Sequence, residues 1–232
     1  MWREKFCASL RDNDVLGTML SLESVEDVNV YLTGTQQHNT PLTFAILRDA
    51  PVAVIECMLD KSADMEMRQK HFGDTPLHCA VKRGNLDVIS LLASRGCDMN
   101  SKSRSTNTPL HEAVRRGNLL LVRVLLEHGA VPRICNGDNQ TSIHLASGRG
   151  HSQVLRELLK YDPDLDAQDT YECTALHYAC MYNYEACAML LLDGGADTSI
   201  RNASHKTALD TAKLKNLGGI IRLFDRKKLS SC

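Results

Sequence analysis

At 232 residues and a formal net charge of −1, the chain has no basic excess to form a broad phosphate footprint or to hold it on an acidic membrane surface. Its nine cysteines are odd in number and scattered without a C-x-x-C pair, a pattern of free thiols in a reducing compartment and not of a disulfide framework. MWREKFCASLRDND lacks the apolar core of a signal peptide, and no apolar run approaches the roughly 18 residues that span a bilayer. The expectation is an intracellular protein, cytoplasmic and/or nuclear, with no membrane partner.

Residues 1–34 form an atypical opening that keeps an alanine (Ala8), an apolar helix pattern and an Asp-Val-Asn ending. A phrase then returns. Thr40 opens TPLTFAILRD, and 35 residues later Thr75 opens TPLHCAVKRG. Thr108, Thr141, Thr174 and Thr207 follow at steps of 33. A fixed period of this size marks an array whose core runs on from one neighbour to the next. The expected units are 1–34, 35–69, 70–102, 103–135, 136–168, 169–201 and 202–232, the first and last as capping units of one repeat domain.

Within residues 70–102, Thr75 can cap a helix and Pro76 takes its first position, where the missing N–H costs nothing. Leu77, Ala80 and Val81 fall on one helical face. Gly84 supplies the positive φ that ends the helix. A second helix over about LDVISLLASR carries Leu86, Val88, Ile89, Leu91 and Leu92, and Gly96 closes it. CDMNSKSRSTN reads as an extended polar connection able to form a hairpin loop. Ala80, Ala113, Ala146, Ala179 and Ala212 recur at one position, where a small side chain lets neighbouring helices approach and a bulky one is expected to cost roughly 1–3 kcal/mol.

The phrase D-x-x-G-x-T-P-L-H-x-A-x-x-x-G, followed by a helix with paired leucines and a G-A-D-x-N turn, resembles the ankyrin repeat. Residues 70–102 and 103–135 match it closely. Residues 136–168 depart at Asp162-Pro163, and residues 169–201 carry Asn183 where the first glycine is usual; asparagine also tolerates the left-handed region. The resemblance implies an all-α repeat solenoid of helix-turn-helix units joined by β-hairpin-like loops. It implies no activity, because function lies in surfaces grafted on a fold.

His78, His111, His144 and His177 recur in step and invite a metal or acid–base reading. The resemblance implies instead an imidazole bonded to the adjacent threonine and to a neighbouring repeat's backbone, which would hold successive histidines apart. Cys173, His177, Cys180 and Cys187 supply ligand types, but a zinc site needs about four that converge, and a free cysteine is more often a small buried hydrophobe. Asp138, Ser142 and His144 are each explained by repeat position, and no Gly-rich phosphate loop follows a strand. No cofactor is expected. LASRGCDMN resembles the leucine, aspartate and asparagine spacing favoured by ankyrin-directed asparaginyl hydroxylase, which makes Asn100 a candidate hydroxylation site; the structural alternative is that Asp98 and Asn100 tie down the turn.

The leading expectation is a non-enzymatic interaction module or adaptor, monomeric alone, that binds a protein partner and not nucleic acid. The resemblance places the residues before each first-helix glycine in a concave groove: Lys82 and Arg83, Arg115 and Arg116, then Gly148 and Arg149. Phe72, Arg104, Tyr171, Met181 and Tyr182 adjoin them. This ridge is expected to take an acidic, partly extended segment with an apolar anchor near Tyr182, and charge reversal at Arg83 and Arg116 is expected to spare the fold. The competing class is a metal- or thiol-dependent enzyme using the Cys/His positions.

Overall fold

The computed structural model describes residues 2–23, 25, 27–32 and 39–230, apart from the side chains of Lys228 and Ser230. The expected boundary between residues 34 and 35 lies outside the described residues. Among those described there are fourteen α-helices and no strand, only an isolated antiparallel bridge between Arg201 and Thr207. The fold is the all-α helical repeat that the period implied. The chain divides into two units, Met1–Pro109 with Glu127–Gly129, and Leu110–Leu126 with Ala130–Cys232.

The first unit holds α1 (Trp2–Arg11), α2 (Val15–Glu23), α3 (Pro41–Leu47), α4 (Val52–Asp60), α5 (Pro76–Arg83) and α6 (Leu86–Ser94). Each helix packs against its sequence partner, α3 lies beside α5, and α2, α4 and α6 follow in a second row. Helices α7 (Pro109–Arg115) and α8 (Leu119–Glu127) fall chiefly in the second unit. They are followed by α9 (Ser142–Gly148), α10 (Ser152–Leu158), α11 (Ala175–Met181), α12 (Glu185–Asp193), α13 (Ala208–Leu214) and α14 (Gly218–Ser230). There α9, α11 and α13 form one layer and α10, α12 and α14 the other.

The sequence dictates these elements locally. The Thr40 hydroxyl accepts the Thr43 N–H at 3.1 Å, and the Asn85 side-chain oxygen Oδ1 accepts the Val88 N–H at 3.1 Å, each satisfying an orphan donor of a first turn. Ala45, Ala80, Ala113, Ala146, Ala179 and Ala212 have no exposed surface, so the recurring alanine sits where the packing admits no more than a methyl group. Asp49, Gly84, Gly117, Gly150, Asn183 and Asn216 occupy one register, and all have positive φ. Asn183 therefore does the glycine's work, as asparagine can. The Asp162-Pro163 departure shortens α10 at Leu158 and adds a 3-10 turn, Leu159–Tyr161, but Asp162 still takes the left-handed conformation at φ 46°.

The in-step histidines are parts of the stack. The Thr75 N–H donates to His78 Nδ1 at 3.3 Å, the Thr75 hydroxyl lies 2.8 Å from it, and His78 Nε2 donates to the Asn107 carbonyl at 3.0 Å. His144 and His177 repeat the pattern with Thr141 and Thr174, donating to the carbonyls of Cys173 (3.1 Å) and Lys206 (3.0 Å). His111 Nε2 donates to the Gln140 carbonyl at 3.2 Å. Each bond spans 29 residues, so each ring ties the start of one helix pair to the loop before the next.

Burial holds the pKa of His78, His144 and His177 below the ordinary histidine value. The unfolded chain takes up these protons near pH 6.5, while the folded chain resists them to lower pH. Stability from these groups is therefore complete above about pH 6.5 and is lost as pH falls toward the folded values. Asp49 and Glu112, both lowered, act in the same direction only below about pH 4.5. The urea midpoint is expected to be lower at about pH 5.5 than at about pH 7.5; equal midpoints would contradict the buried neutral imidazoles.

Candidate functional site: two surface patches

In the first unit, Phe72, Lys82 and Arg104 meet at the loop before α5, and Arg83 ends that helix. Phe72 is 45% exposed. Lys82 places its ammonium 5.6 Å from the centre of the Phe72 ring and pairs with the buried Asp74. Arg104 donates to the carbonyls of His71 and Lys70, both at 2.8 Å, and its N–H donates to the Phe72 carbonyl at 3.0 Å. Arg83 forks onto Asp49, with Nε 2.8 Å from Oδ1 and Nη2 on Oδ2. The hydrogen bond from Arg83 holds the Asp49 carboxyl below its ordinary pKa.

In the second unit, Arg115 and Arg116 share one buried carboxylate. Glu112 accepts from Arg115 Nη2 at 2.8 Å and from Arg116 Nε at 2.7 Å. Burial, the largest influence, raises the Glu112 pKa, but the hydrogen bonds and the charges of Arg116 and Arg115 together outweigh it and hold the group below its ordinary value. The cations read as a ridge thus carry their own counter-charges. Reversing charge at Arg116 would set a second carboxylate beside Glu112, which Arg115 also holds.

Arg149 is exposed and forms no ion pair among the described residues. Its neighbours are aromatic. Tyr178 and Tyr182 lie nearly parallel, 12° between planes and 6.3 Å between centroids, and Tyr184 continues the run 6.3 Å from Tyr182. The Tyr178 hydroxyl donates to the buried Asp169 and accepts from Gln140 Nε2 at 3.1 Å. Burial first, then Asp169, pushes the Tyr178 pKa up. Gln140, His144, Leu145, Gly148, Arg149, Tyr178 and Tyr182 line an open pocket of about 280 Å³. Met181 ends α11 half-buried and is not part of that lining, and Tyr171, 66% exposed, lies in the loop before α11.

Of these residues the sequence reading singled out Arg149, Tyr171, Met181 and Tyr182. It missed Gln140, Tyr178 and Tyr184, and it counted Gly148 as a ridge position instead of an opening. Comparing residues one period apart would have found it: Lys82, Arg115 and Met181 carry side chains where Gly148 has none.

Asn100 is tied into its turn. Its N–H donates to Asp98 Oδ1 at 2.8 Å and its side-chain amide donates to the Gly129 carbonyl at 3.2 Å. The Asp98 N–H and the Ser101 hydroxyl donate to the Glu66 carboxylate, both at 2.8 Å. The cysteine cluster has no such surface. Burial pushes the thiols of Cys180 and Cys187 up to about 12 and about 11, both residues are fully buried, and His177 already uses both ring nitrogens. Among the described residues no three histidine, cysteine or acidic side chains come together as a metal site, and no helix is long and apolar enough to cross a membrane.

A family model described as ankyrin repeats (3 copies) matches residues 6–103, 42–136, 110–202 and 143–224. The ankyrin repeat domain of Bcl-3, described as a unique member of the IkappaB protein family, superposes with a TM-score of 0.84 over 94% of this chain and 97% of that one. At 21% identity that likeness concerns the fold alone. A 2-5A-dependent ribonuclease of Mus musculus is 35% identical over 54 residues, 23% of this chain and 7% of the ribonuclease. The chain therefore spans a small fraction of that relative.

Proposed function

Because the chain belongs to the ankyrin repeat family, we propose that it acts as a protein-interaction module and adaptor, intracellular and monomeric by itself, performing no chemistry of its own. One contrast carries this reading. The threonines and histidines of Thr75–His78, Thr141–His144 and Thr174–His177 are occupied inside the stack, whereas Phe72, Tyr171 and Tyr182 stand 45%, 66% and 52% exposed, Phe72 beside Lys82 and Tyr182 beside Arg149. Aromatic residues and arginine at a surface are the side chains that dominate binding energy at protein interfaces.

The partner in this reading presents an acidic, partly extended segment with an apolar anchor near Tyr182. Internal pairing does not silence the arginines. A guanidinium has five N–H donors, and Arg83 and Arg115 direct only part of theirs to Asp49 and Glu112. Neutralising Arg83 and Arg116 together to glutamine removes charge without setting carboxylates against each other. That variant is expected to bind its partner several-fold more weakly, and wild-type association is expected to slow as salt rises. Equal binding by the variant, with no salt dependence, would exclude an acidic partner. Hydroxylation of Asn100 belongs to the same reading; a modifying enzyme would first have to free its amide from the Gly129 carbonyl.

A further inference from the structure

We propose that the pocket beside Gly148 is a subsite for a proline flanked by a carboxylate in an extended partner segment; this rests on the interaction reading above and names the chemistry one site would take. The pocket owes its existence to a missing side chain. Gly148 ends α9 at the position where Lys82, Arg115 and Met181 project side chains, and a Cβ built on it would meet Tyr178 Cδ1 at an ordinary 3.5 Å. The space opens into the pocket, and the Tyr178 and Tyr182 rings form an aromatic wall along it. Flat aromatic surfaces take the rigid, extended proline backbone at little entropic cost.

The charge beside the wall is specified too. Arg149 lines the pocket, is exposed, and forms no ion pair among the described residues. The nearest carboxylate in the hydrogen-bond network, Asp169, is buried and held by the Tyr178 hydroxyl, by Gln140 and by the backbone N–H groups of Tyr171 and Cys173. The site therefore offers an incoming segment a cation with its local counter-charge turned inward. That complements an aspartate or glutamate, and a basic segment would find no exposed acid there to pair with.

Gly148 is helical without positive φ, so a methionine there fills the pocket with no backbone strain. The test is selection of a phage-displayed random peptide library on the purified full chain, on Gly148→Met and on Arg149→Gln, with thermal melts to verify that each variant is folded. Wild type is expected to enrich peptides in which proline adjoins aspartate or glutamate. Gly148→Met should lose that enrichment, and Arg149→Gln should keep proline while losing the acidic neighbour. A synthetic peptide from the wild-type set should bind Arg149→Gln about tenfold or more weakly, as expected for loss of a charged hydrogen bond. The same peptides enriched on Gly148→Met, wild-type peptides lacking the acid–proline pair, or no enrichment at all would each overturn the proposal. Peptides that bind but ignore both substitutions would overturn it while leaving the broader interaction reading standing.

Discussion

Gly150→Ala is expected to lower stability by about 2–4 kcal/mol, and Gly84→Ala by about 1–2 kcal/mol, although the two glycines occupy one register. Their φ values are 70° and 75°, so the left-handed penalty on an added Cβ is the same. What differs is the next helix pair. Nothing lies within 4 Å of a Cβ at Gly84, whereas at Gly150 it would stand 2.5 Å from Cδ1 of Tyr184. The ring must move or the turn must open, and moving it also disturbs its contact with Tyr182. Urea unfolding of the two variants measures the difference. Adding Tyr184→Ala to Gly150→Ala should remove the excess and bring the cost close to that of Gly84→Ala combined with Tyr184→Ala. Equal costs for the two single alanines would show that the tyrosine does not constrain the turn.

His177→Ala is expected to cost about 1–3 kcal/mol and leave partner binding unchanged at temperatures where the variant is folded. The substitution strips three bonds at once: the Thr174 N–H loses its acceptor at 3.2 Å, the Thr174 hydroxyl its partner at 2.9 Å, and the Lys206 carbonyl its donor at 3.0 Å. Thr174 is buried and has no access to water in exchange. Asparagine, which can reproduce at most part of this set, should recover only part of the loss. An unchanged melting temperature with loss of binding would move this histidine from the stack to the interface.

Much of this was legible because the repeat compares the chain with itself. Thr, His and Ala at fixed offsets announced the cap, the bridge and the close approach, and the structure places each there. Asn183 could be read as a substitute glycine because its conformational tolerance is a local property. Glu112 with Arg115 and Arg116 stands at the local helical spacings of three and four, but three other ion pairs were not legible by local reading, since Arg83 reaches Asp49, Arg95 reaches Asp60 and Arg123 reaches Glu157 across 34 or 35 residues. Opposite charges one period apart were the available signal. Reading cations along the phrase without their carboxylates made the surface look more basic than it is. The aromatic pocket was hidden for a related reason: its residues come from two successive repeats, and Gly148 matters through the side chain it lacks.

The central claim is that the buried threonines, histidines and alanines of the repeated phrase maintain the stack while the exposed residues on and around it select a partner. Quantitative mass spectrometry of proteins captured from a cell lysate tests it, with wild type, His177→Ala, Arg83→Gln/Arg116→Gln and Gly148→Met compared under conditions where all four are folded. The account predicts a set of proteins retained by wild type and His177→Ala and depleted on both surface variants. Retention of the same set by the surface variants, or its loss from His177→Ala alone, would contradict it.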